Sequence, residues 1–74
     1  MPFYVYILKS HKDNKLYTGS TSDLTRRLLQ HNSGKVKSTQ YRRPLELVYY
    51  ETYNSNGAAK SREKELKSNK VGAY

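Results

Sequence analysis

Alternating apolar and polar residues predict a pair of short β-strands near the start of the chain. Residues 3–8 alternate and consist largely of Phe, Tyr, Val and Ile, which favour strands, and residues 16–20 predict a second strand. Residues 11–15 are all polar and include Asp13-Asn14, a sequence that favours a turn. We therefore expect an antiparallel hairpin.

A third strand is predicted at residues 45–50. Its alternation places Leu45, Leu47 and Tyr49 on one face of the sheet. Because a small sheet needs bulky side chains to fill its core, we expect Tyr49 and Tyr50 to be buried.

Capping residues mark two helices. The first follows Ser22, a good N-cap, has Asp23 at its positive end and closes at residues 32–34, Asn-Ser-Gly. The second is predicted from residue 58 to about residue 70. The resulting order is β-β-α-β-α. It predicts an α/β protein of the α+β type, in which helices flank a three-stranded, mainly antiparallel sheet within one domain, residues 1–74.

The first helix has an unusual inward face. At 100° per residue, Leu24, Arg27, Leu28 and His31 share one stripe, whereas Arg26 points away. A buried charge needs a partner, so Arg27 and His31 are candidate functional residues. The alternative for Arg27 is an aliphatic stem packed on the core with its charged head in water.

The second helix turns one acidic residue inward. Glu63 shares its face with Leu66, whereas Lys64 points outward. This carboxylate either pairs with an arginine, Arg27 or Arg62, or holds a metal. Mg²⁺ commonly binds through one or two carboxylates and completes its coordination with water and substrate phosphate.

The charge of the chain indicates its partner. Fourteen Lys and Arg residues against six Asp and Glu residues give a net charge of +8 and a pI near 9.8. Such a field attracts polyanions, of which nucleic acid is the first expectation and an anionic membrane surface the second. Charge alone does not distinguish binding from cleavage.

The composition also bears on location. The chain has no cysteine, which fits a reducing compartment, and no apolar run approaches the ~20 residues that span a bilayer. Its N-terminus lacks the pattern of a signal peptide. We expect a cytoplasmic protein that does not insert into a membrane.

Two tyrosines and a glycine occupy positions of chemical interest. Tyr6 and Tyr17 lie on neighbouring predicted strands, where core packing is the simpler interpretation. A phenol has a pKa near 10 and needs a nearby cation, such as Arg27 or a metal, to act as a base at neutral pH. Gly19, at the end of the second strand, suits a close approach of the backbone to a ligand. His11, in the predicted turn, is expected at the surface.

These positions together resemble the GIY-YIG nuclease domain over nearly the whole chain. Residues 5–7, Val-Tyr-Ile, are similar to the first signature, and residues 17–19, Tyr-Thr-Gly, to the second, with ten residues between the two signature tyrosines. Residues 42–51 are similar to the small single-domain bacterial branch, which is related to the nuclease domain of excision-repair incision enzymes. Residues at the family's catalytic positions are Tyr6, Tyr17, Arg27, His31 and Glu63.

The resemblance implies a Mg²⁺- or Mn²⁺-dependent DNA endonuclease. In it, Glu63 would anchor the metal and Arg27 would bind the phosphate. Tyr6 or Tyr17 would activate the attacking water, with Tyr6 the favoured base, and His31 would orient a tyrosine or share a proton relay. Expected contacts to the nucleic-acid backbone are Gly19, Lys35, Lys37, Arg42 and Arg43.

Other functions stay open at this point. A basic nucleic-acid-binding module that keeps the fold without the reaction is one, and a module that docks on a larger repair protein is another. RNA is an alternative substrate, and a homodimer or a repair-protein partner would supply specificity. Many family members carry an Asn well beyond the glutamate, whereas Asn69 is only six residues past Glu63. Either this Asn is dispensable or the chain lacks its C-terminal end.

Overall fold

The structure, a computed structural model, describes residues 2–68 and confirms the predicted fold class. Three antiparallel strands form one sheet in the order β2-β1-β3, and two helices complete the order β-β-α-β-α. No helix within residues 2–68 is both long and apolar enough to cross a bilayer. The elements are β1 (Phe3–Ser10), β2 (Leu16–Thr21), α1 (Leu24–Asn32), β3 (Leu45–Tyr53) and α2 (Asn56–Ser68).

The predicted hairpin is present. β1 and β2 pair antiparallel, with Tyr6 opposite Gly19 and Leu8 opposite Tyr17. In the turn, Asn14 adopts φ 61°, a left-handed conformation that asparagine tolerates better than most residues. β1 also pairs with β3, so it lies between two strands and forms the buried centre of the sheet.

Each face of the sheet is covered by a different helix. Val5 and Ile7 point towards α2 and pack with its Ala59 and Leu66. Tyr6 and Leu8, which alternate with them along β1, form a second cluster against α1. The side chain of Tyr6 thus points to the α1 side of the sheet.

A β-bulge overturns one prediction about β3. Leu8 pairs with Leu47, but the preceding Ile7 pairs with Tyr49, so Val48 is the extra residue. Since directly paired residues point to the same face, Leu47 and Tyr49 lie on opposite faces, and the prediction that they share one is wrong.

The two tyrosines predicted to be core residues are exposed. Tyr49 and Tyr50 retain 46% and 53% of their accessible surface. β3 is an edge strand, and neither face of this part of it is covered well enough to bury the two tyrosines. The small core is filled instead from β1, which contributes Val5 and Tyr6 among others.

The start of α1 also differs from the prediction. Its N-cap is Asp23, not Ser22: the Asp23 carboxylate accepts a hydrogen bond of 3.1 Å from the Arg26 amide. β2 continues to Thr21, whose hydroxyl accepts from the Asp23 amide and so shifts the helix start.

The end of α1 is attached to β3. The Asn32 side chain donates to the Leu45 carbonyl and accepts from the Leu45 amide, at 2.9 and 2.8 Å. Gly34 then leaves the helix with φ 82°, as expected for a glycine after a helix end. The basic loop that follows is anchored by two buried side chains, Val36 and Thr39.

Candidate active site

The centre of the candidate site is a buried chain of hydrogen bonds on the α1 side of the sheet. The Tyr6 hydroxyl lies 2.9 Å from Nε2 of His31, and Nδ1 of His31 lies 2.8 Å from the Thr39 hydroxyl. Tyr6 is 1% exposed and His31 is fully buried. The predicted inward position of His31 is confirmed, and its two ring nitrogens both have partners.

The surroundings of His31 keep its imidazole neutral. Burial, followed by the nearby charge of Arg27, lowers the pKa of His31 from 6.5 to about 4. The Thr39 hydroxyl can donate to the Val36 carbonyl at 3.5 Å. We therefore assign the tautomer in which Nδ1–H donates to Thr39, and Nε2 accepts from Tyr6.

Tyr6 and Tyr17 differ in their access to solvent. Burial raises the pKa of Tyr6, although a hydrogen bond from Arg27 acts in the opposite direction. Arg27 therefore does not lower the pKa of this phenol as far as a base at neutral pH requires. Tyr17 is only half-buried, and its ring packs edge-on against the His31 ring with centroids 5.1 Å apart.

Gly19 makes room for Tyr6. It lies within β2 rather than at the end of the strand, directly opposite Tyr6. A Cβ at this position would lie 2.5 Å from the Tyr6 hydroxyl oxygen, closer than any Cβ tolerates. This contact accounts for glycine without a ligand, and the role of Gly19 in nucleic-acid binding stays a prediction.

Arg27 is half-buried beside an open groove. Its guanidinium donates to the Gln30 side chain at 3.1 Å, and the structure shows no ion pair for it within residues 2–68. A groove of about 500 Å³, here called the Arg27 groove, contains Ser20, Arg26, Arg27 and Lys60 in its walls. The groove therefore offers cationic groups to an anionic ligand.

Glu63 has partners that the sequence did not predict. Its two carboxylate oxygens accept from the Ser20 hydroxyl at 2.6 Å and pair with the Lys67 ammonium at 2.7 Å. The predicted pairing with Arg27 or Arg62 is wrong, because Arg62 pairs with Glu51 on β3 at 2.9 Å. Glu63 comes from α2 but reaches β2, next to Gly19.

The environment of Glu63 keeps it ionised. Burial alone would raise its pKa, but the hydrogen bonds from Lys67 and Ser20, with the charges of Lys67 and Lys60, hold the pKa below its usual value. Glu63 is therefore a carboxylate at neutral pH, as a metal ligand requires.

The donor set around Glu63 fits a hard divalent cation that binds mainly through substrate and water. Residues 2–68 contain no cluster of three or more His, Cys, Asp or Glu side chains. A protein cage for zinc or calcium is therefore absent from this part of the chain. A single ionised carboxylate is compatible with Mg²⁺ or Mn²⁺, whose other ligands are water and phosphate.

The predicted catalytic residues gather around β2. Tyr6, Tyr17 and His31 pack together on one face, and the charge of Arg27 acts on both Tyr6 and His31. Glu63 approaches from the other helix. The Glu63 groove, also about 500 Å³, is formed by Lys60, Glu63, Lys64, Lys67 and Ser68, and it shares Lys60 with the Arg27 groove.

Sequence reasoning missed three residues of this site. Ser20 and Lys67 both bond Glu63, and Thr39 bonds His31. Lys67 lies four residues after Glu63, a spacing that signals a helical ion pair and was available in the sequence. Nothing in the sequence pairs Thr39 with His31, because the loop that carries it has no regular periodicity.

The basic residues of the loop differ in their availability. Lys35, Lys37 and Arg43 are exposed, although Nε of Arg43 donates to the Gln40 carbonyl at 2.8 Å. Arg42 instead pairs with Asp13 at 3.4 Å and donates to the Leu16 carbonyl. Its guanidinium thus ties the loop to the β1–β2 hairpin and is not free to bind a phosphate.

Comparison with known proteins identifies the family. The profile of the GIY-YIG catalytic domain matches residues 2–71. The chain belongs to the GIY-YIG family. A nuclease-type function follows from this membership, as the positions of the two signature tyrosines indicate.

Similar relatives include small bacterial proteins of the UPF0213 group. The UPF0213 protein of Staphylococcus epidermidis is 48% identical over 66 residues, which cover 88% of this chain and 79% of that protein. A UPF0213 protein of Streptococcus pyogenes is 48% identical over 69 residues, covering 92% and 74%. These names specify no activity and no metal.

A solved structure supports the fold. The solution NMR structure of a UPF0213 protein from Bacillus halodurans is 44% identical and matches with a TM-score of 0.54, over 90% of this chain and 71% of that chain. Asn69, which is too close to Glu63 to match the family's additional Asn, lies outside the described residues.

Proposed function

We propose that this GIY-YIG protein is a divalent-metal-dependent endonuclease that hydrolyses phosphodiester bonds in DNA. One observation carries the proposal: the ionised Glu63 and the guanidinium of Arg27, which forms no ion pair within residues 2–68, border two adjoining grooves beside the buried Tyr6–His31 pair. A role in cytoplasmic DNA repair or processing is part of the proposal and rests on the family resemblance.

Glu63 would hold the metal, Mg²⁺ or Mn²⁺. When bound, such an ion supplies Lewis-acid stabilisation of the phosphate and the leaving oxygen. Ser20 keeps the Glu63 carboxylate in place from β2, since its hydroxyl bonds one of the two oxygens. The position of the acid is therefore fixed by both α2 and β2.

Arg27 would bind the scissile phosphate and the negative charge that develops on it. Its half-buried stem holds the guanidinium at the edge of the groove, and Gln30 orients it at 3.1 Å. A fixed donor aimed at developing charge is usually the largest single contribution to the rate. Arg26 and Lys60, in the same groove, would attract the DNA backbone.

A tyrosine would activate the attacking water, and burial favours Tyr17 over Tyr6 for this role. Tyr6 is 1% exposed and its hydroxyl is bonded to His31, so it has little access to water. Tyr17 is half-buried at the edge strand and packs on both residues. Tyr6 and His31 would then position Tyr17.

Lys35, Lys37 and Arg43 would contact backbone phosphates without reading sequence. Arg42, which pairs with Asp13, would support this loop and not contact a phosphate itself. Gly19 would allow the DNA backbone to approach β2 closely. A homodimer or a repair-protein partner would add the specificity that so small a domain lacks.

Nicking of supercoiled plasmid in Mn²⁺ tests the proposal. Wild-type protein is expected to nick DNA only with the metal, and Glu63→Gln and Arg27→Ala are each expected to lower the rate at least ~100-fold. Arg26→Ala, which removes a charge that would only attract the DNA backbone, is the matched control: it should weaken DNA binding but retain most of the rate at saturating DNA. Circular dichroism checks that each variant is folded.

Two outcomes would contradict the proposal. Metal-independent DNA binding without nicking by the wild-type protein would instead identify a basic nucleic-acid-binding module. Weak DNA binding together with a stable complex with a repair protein would identify an interaction module. A panel of single-stranded, flapped and branched DNA, with RNA alongside, would define the substrate of an active enzyme.

A further inference from the structure

We propose that Lys67 occupies the cation position at Glu63 in the metal-free protein and transfers to a DNA phosphate when the metal binds. The proposal rests on the proposed function and adds a residue to it. Lys67 would act as a positioning residue for the metal ligand in one state and as a substrate contact in the other.

The contacts of Glu63 show why the two cations compete. Ser20 donates to one carboxylate oxygen at 2.6 Å, and the ammonium of Lys67 lies 2.7 Å from the other. A metal ion needs at least one of these oxygens as a ligand. Ser20 is a neutral donor that can remain, whereas like-charge repulsion disfavours the ammonium of Lys67 next to a divalent cation.

Lys67 is the more accessible partner of the pair. Its side chain is 47% exposed, whereas that of Glu63 is 17% exposed and is also held by Ser20. The lysine ammonium is a compact charge on a flexible four-carbon side chain, so it can turn away from Glu63 without a change in the helix backbone. The carboxylate would then stay in place for the metal.

The position of Lys67 next to Tyr17 indicates where it would go. Its Nζ lies 5.9 Å from the centroid of the Tyr17 ring, within the range of a cation–π contact. Tyr17 is the proposed water-activating residue, so a phosphate placed for attack would lie within reach of this flexible four-carbon side chain. Lys67 would thus exchange one anionic partner, the Glu63 carboxylate, for another, the DNA phosphate.

Lys64 supplies a matched control. It lies in the wall of the same Glu63 groove and carries the same charge, but it is exposed and the structure shows no ion pair between it and Glu63 within residues 2–68. Lys67→Met and Lys64→Met each remove one positive charge from the Glu63 groove. Only Lys67→Met also removes the cation that competes with the metal for Glu63.

The experiment measures two affinities on the full chain. Free Mn²⁺ is followed by electron paramagnetic resonance for the wild type and for Lys67→Met, Lys64→Met and Glu63→Gln. Affinity for a short labelled DNA duplex is measured by anisotropy in Ca²⁺, to observe binding without turnover. Heteronuclear NMR spectra confirm the fold, and Lys67→Gln is a second variant if Lys67→Met is unstable.

Lys67→Met is expected to change the Mn²⁺ affinity and the duplex affinity in opposite directions. Lys67→Met should bind Mn²⁺ about two- to fivefold more tightly than Lys64→Met, because it removes the competing ammonium. The same variant should bind the duplex in Ca²⁺ about two- to fivefold more weakly than Lys64→Met, because it lacks the phosphate contact. A purely structural ion pair would not separate the two affinities in this way.

Two other results would contradict either the proposed role of Lys67 or the assignment of Glu63 as the metal ligand. Equal Mn²⁺ affinities for Lys67→Met and Lys64→Met, with binding abolished by Glu63→Gln, would reject the role of Lys67 and leave the metal site intact. Mn²⁺ binding unaffected by Glu63→Gln, or absent from the wild type, would reject both the exchange and the proposed metal ligand.

Discussion

At the scale of single residues, His31 shows how burial sets chemistry. Its ring has no accessible surface, and the nearest cation, Arg27, adds to the cost of charging it. The imidazole is therefore held neutral between Tyr6 and Thr39 and acts as an acceptor for the Tyr6 hydroxyl. A solvated histidine at pH 7 would be partly protonated and would lose this acceptor.

This burial predicts a pH dependence of stability. The pKa of His31 falls from 6.5 to about 4 on folding, so the unfolded chain binds more protons between these values. The contribution of the neutral imidazole to the free energy of unfolding is complete above about pH 6.5 and is lost progressively as the pH falls towards 4. The size of the effect is roughly 3 kcal/mol for a shift of this size.

Urea unfolding followed by circular dichroism between pH 7 and pH 4 measures the effect. His31→Gln should flatten the pH dependence over this range, although the variant is less stable throughout. His11→Gln is the control, because the His11 side chain is exposed and, among the described residues, bonds only to Glu46. An unchanged slope in His31→Gln would contradict the assignment.

At the scale of elements, β3 and α2 are joined by a carboxylate clamp. Glu51 pairs with Arg62 of α2 at 2.9 Å and accepts from the hydroxyls of Tyr49 and Tyr53. The hydrogen bond from Arg62, then those from the two tyrosines, lower the pKa of Glu51 to about 2. The clamp thus holds the exposed Tyr49 and the half-buried Tyr53 in place on an edge strand.

Substituting the clamp should weaken the contact between β3 and α2. Glu51→Gln is expected to lower the free energy of unfolding by about 1–3 kcal/mol, because Arg62 loses its partner. Since the pKa of Glu51 is below its ordinary value of 4.5, the charged clamp contributes fully above pH 4.5 and is lost as the pH falls towards 2.

Denaturant titration of Glu51→Gln beside Glu46→Gln checks this prediction. Glu46 lies on the same strand, but its pair with His11 is exposed, so its substitution should cost less than about 0.5 kcal/mol. Equal losses in the two variants would show that the clamp contributes no more than an ordinary surface pair.

At the scale of the whole molecule, charge and shape determine how DNA would be held. The net charge is +8 on 74 residues, and the grooves beside Arg27 and Glu63 share Lys60. The exposed Lys35, Lys37 and Arg43 extend the cationic surface beyond the other end of α1. Contacts of this kind give affinity that depends on salt more than on sequence.

The salt dependence of duplex binding can separate binding residues from structural ones. Each phosphate contact adds about 0.9 to the slope of log affinity against log salt, so Arg43→Ala should reduce the slope by about 1. Arg42→Ala should leave the slope unchanged and lower thermal stability instead, because Arg42 pairs with Asp13. Anisotropy at several salt concentrations measures the slope, and equal changes in both variants would contradict this division.

Much of the fold follows from local signals in the sequence. Alternation predicted β1 and β2, and residues 32–34 marked the end of α1. The 100° rule correctly placed Arg27, His31 and Glu63 on the inward faces of their helices. Periods, caps and turns depend on neighbours along the chain, so they can be read without knowing what the chain packs against.

The misassigned features depend on contacts between distant residues. The bulge at Val48 arises from the register of β3 on β1, and it turns Tyr49 to the other face of the sheet. The N-cap is an exception, because the Thr21 hydroxyl that accepts from the Asp23 amide lies only two residues away along the chain. The register of β3 on β1 joins residues that more than thirty positions separate, so no local sequence pattern specifies it.

The sequence by itself determined the inventory of the candidate site: two phenols, a guanidinium, an imidazole and a carboxylate at the spacing of the GIY-YIG family. Only the tertiary structure decided their states and partners. It buried His31 and Tyr6 in one hydrogen-bonded chain, and it paired Glu63 of α2 with Ser20 of β2. Hydrogen-bond partners and desolvation depend on which elements meet in space, and the linear order of residues does not specify this.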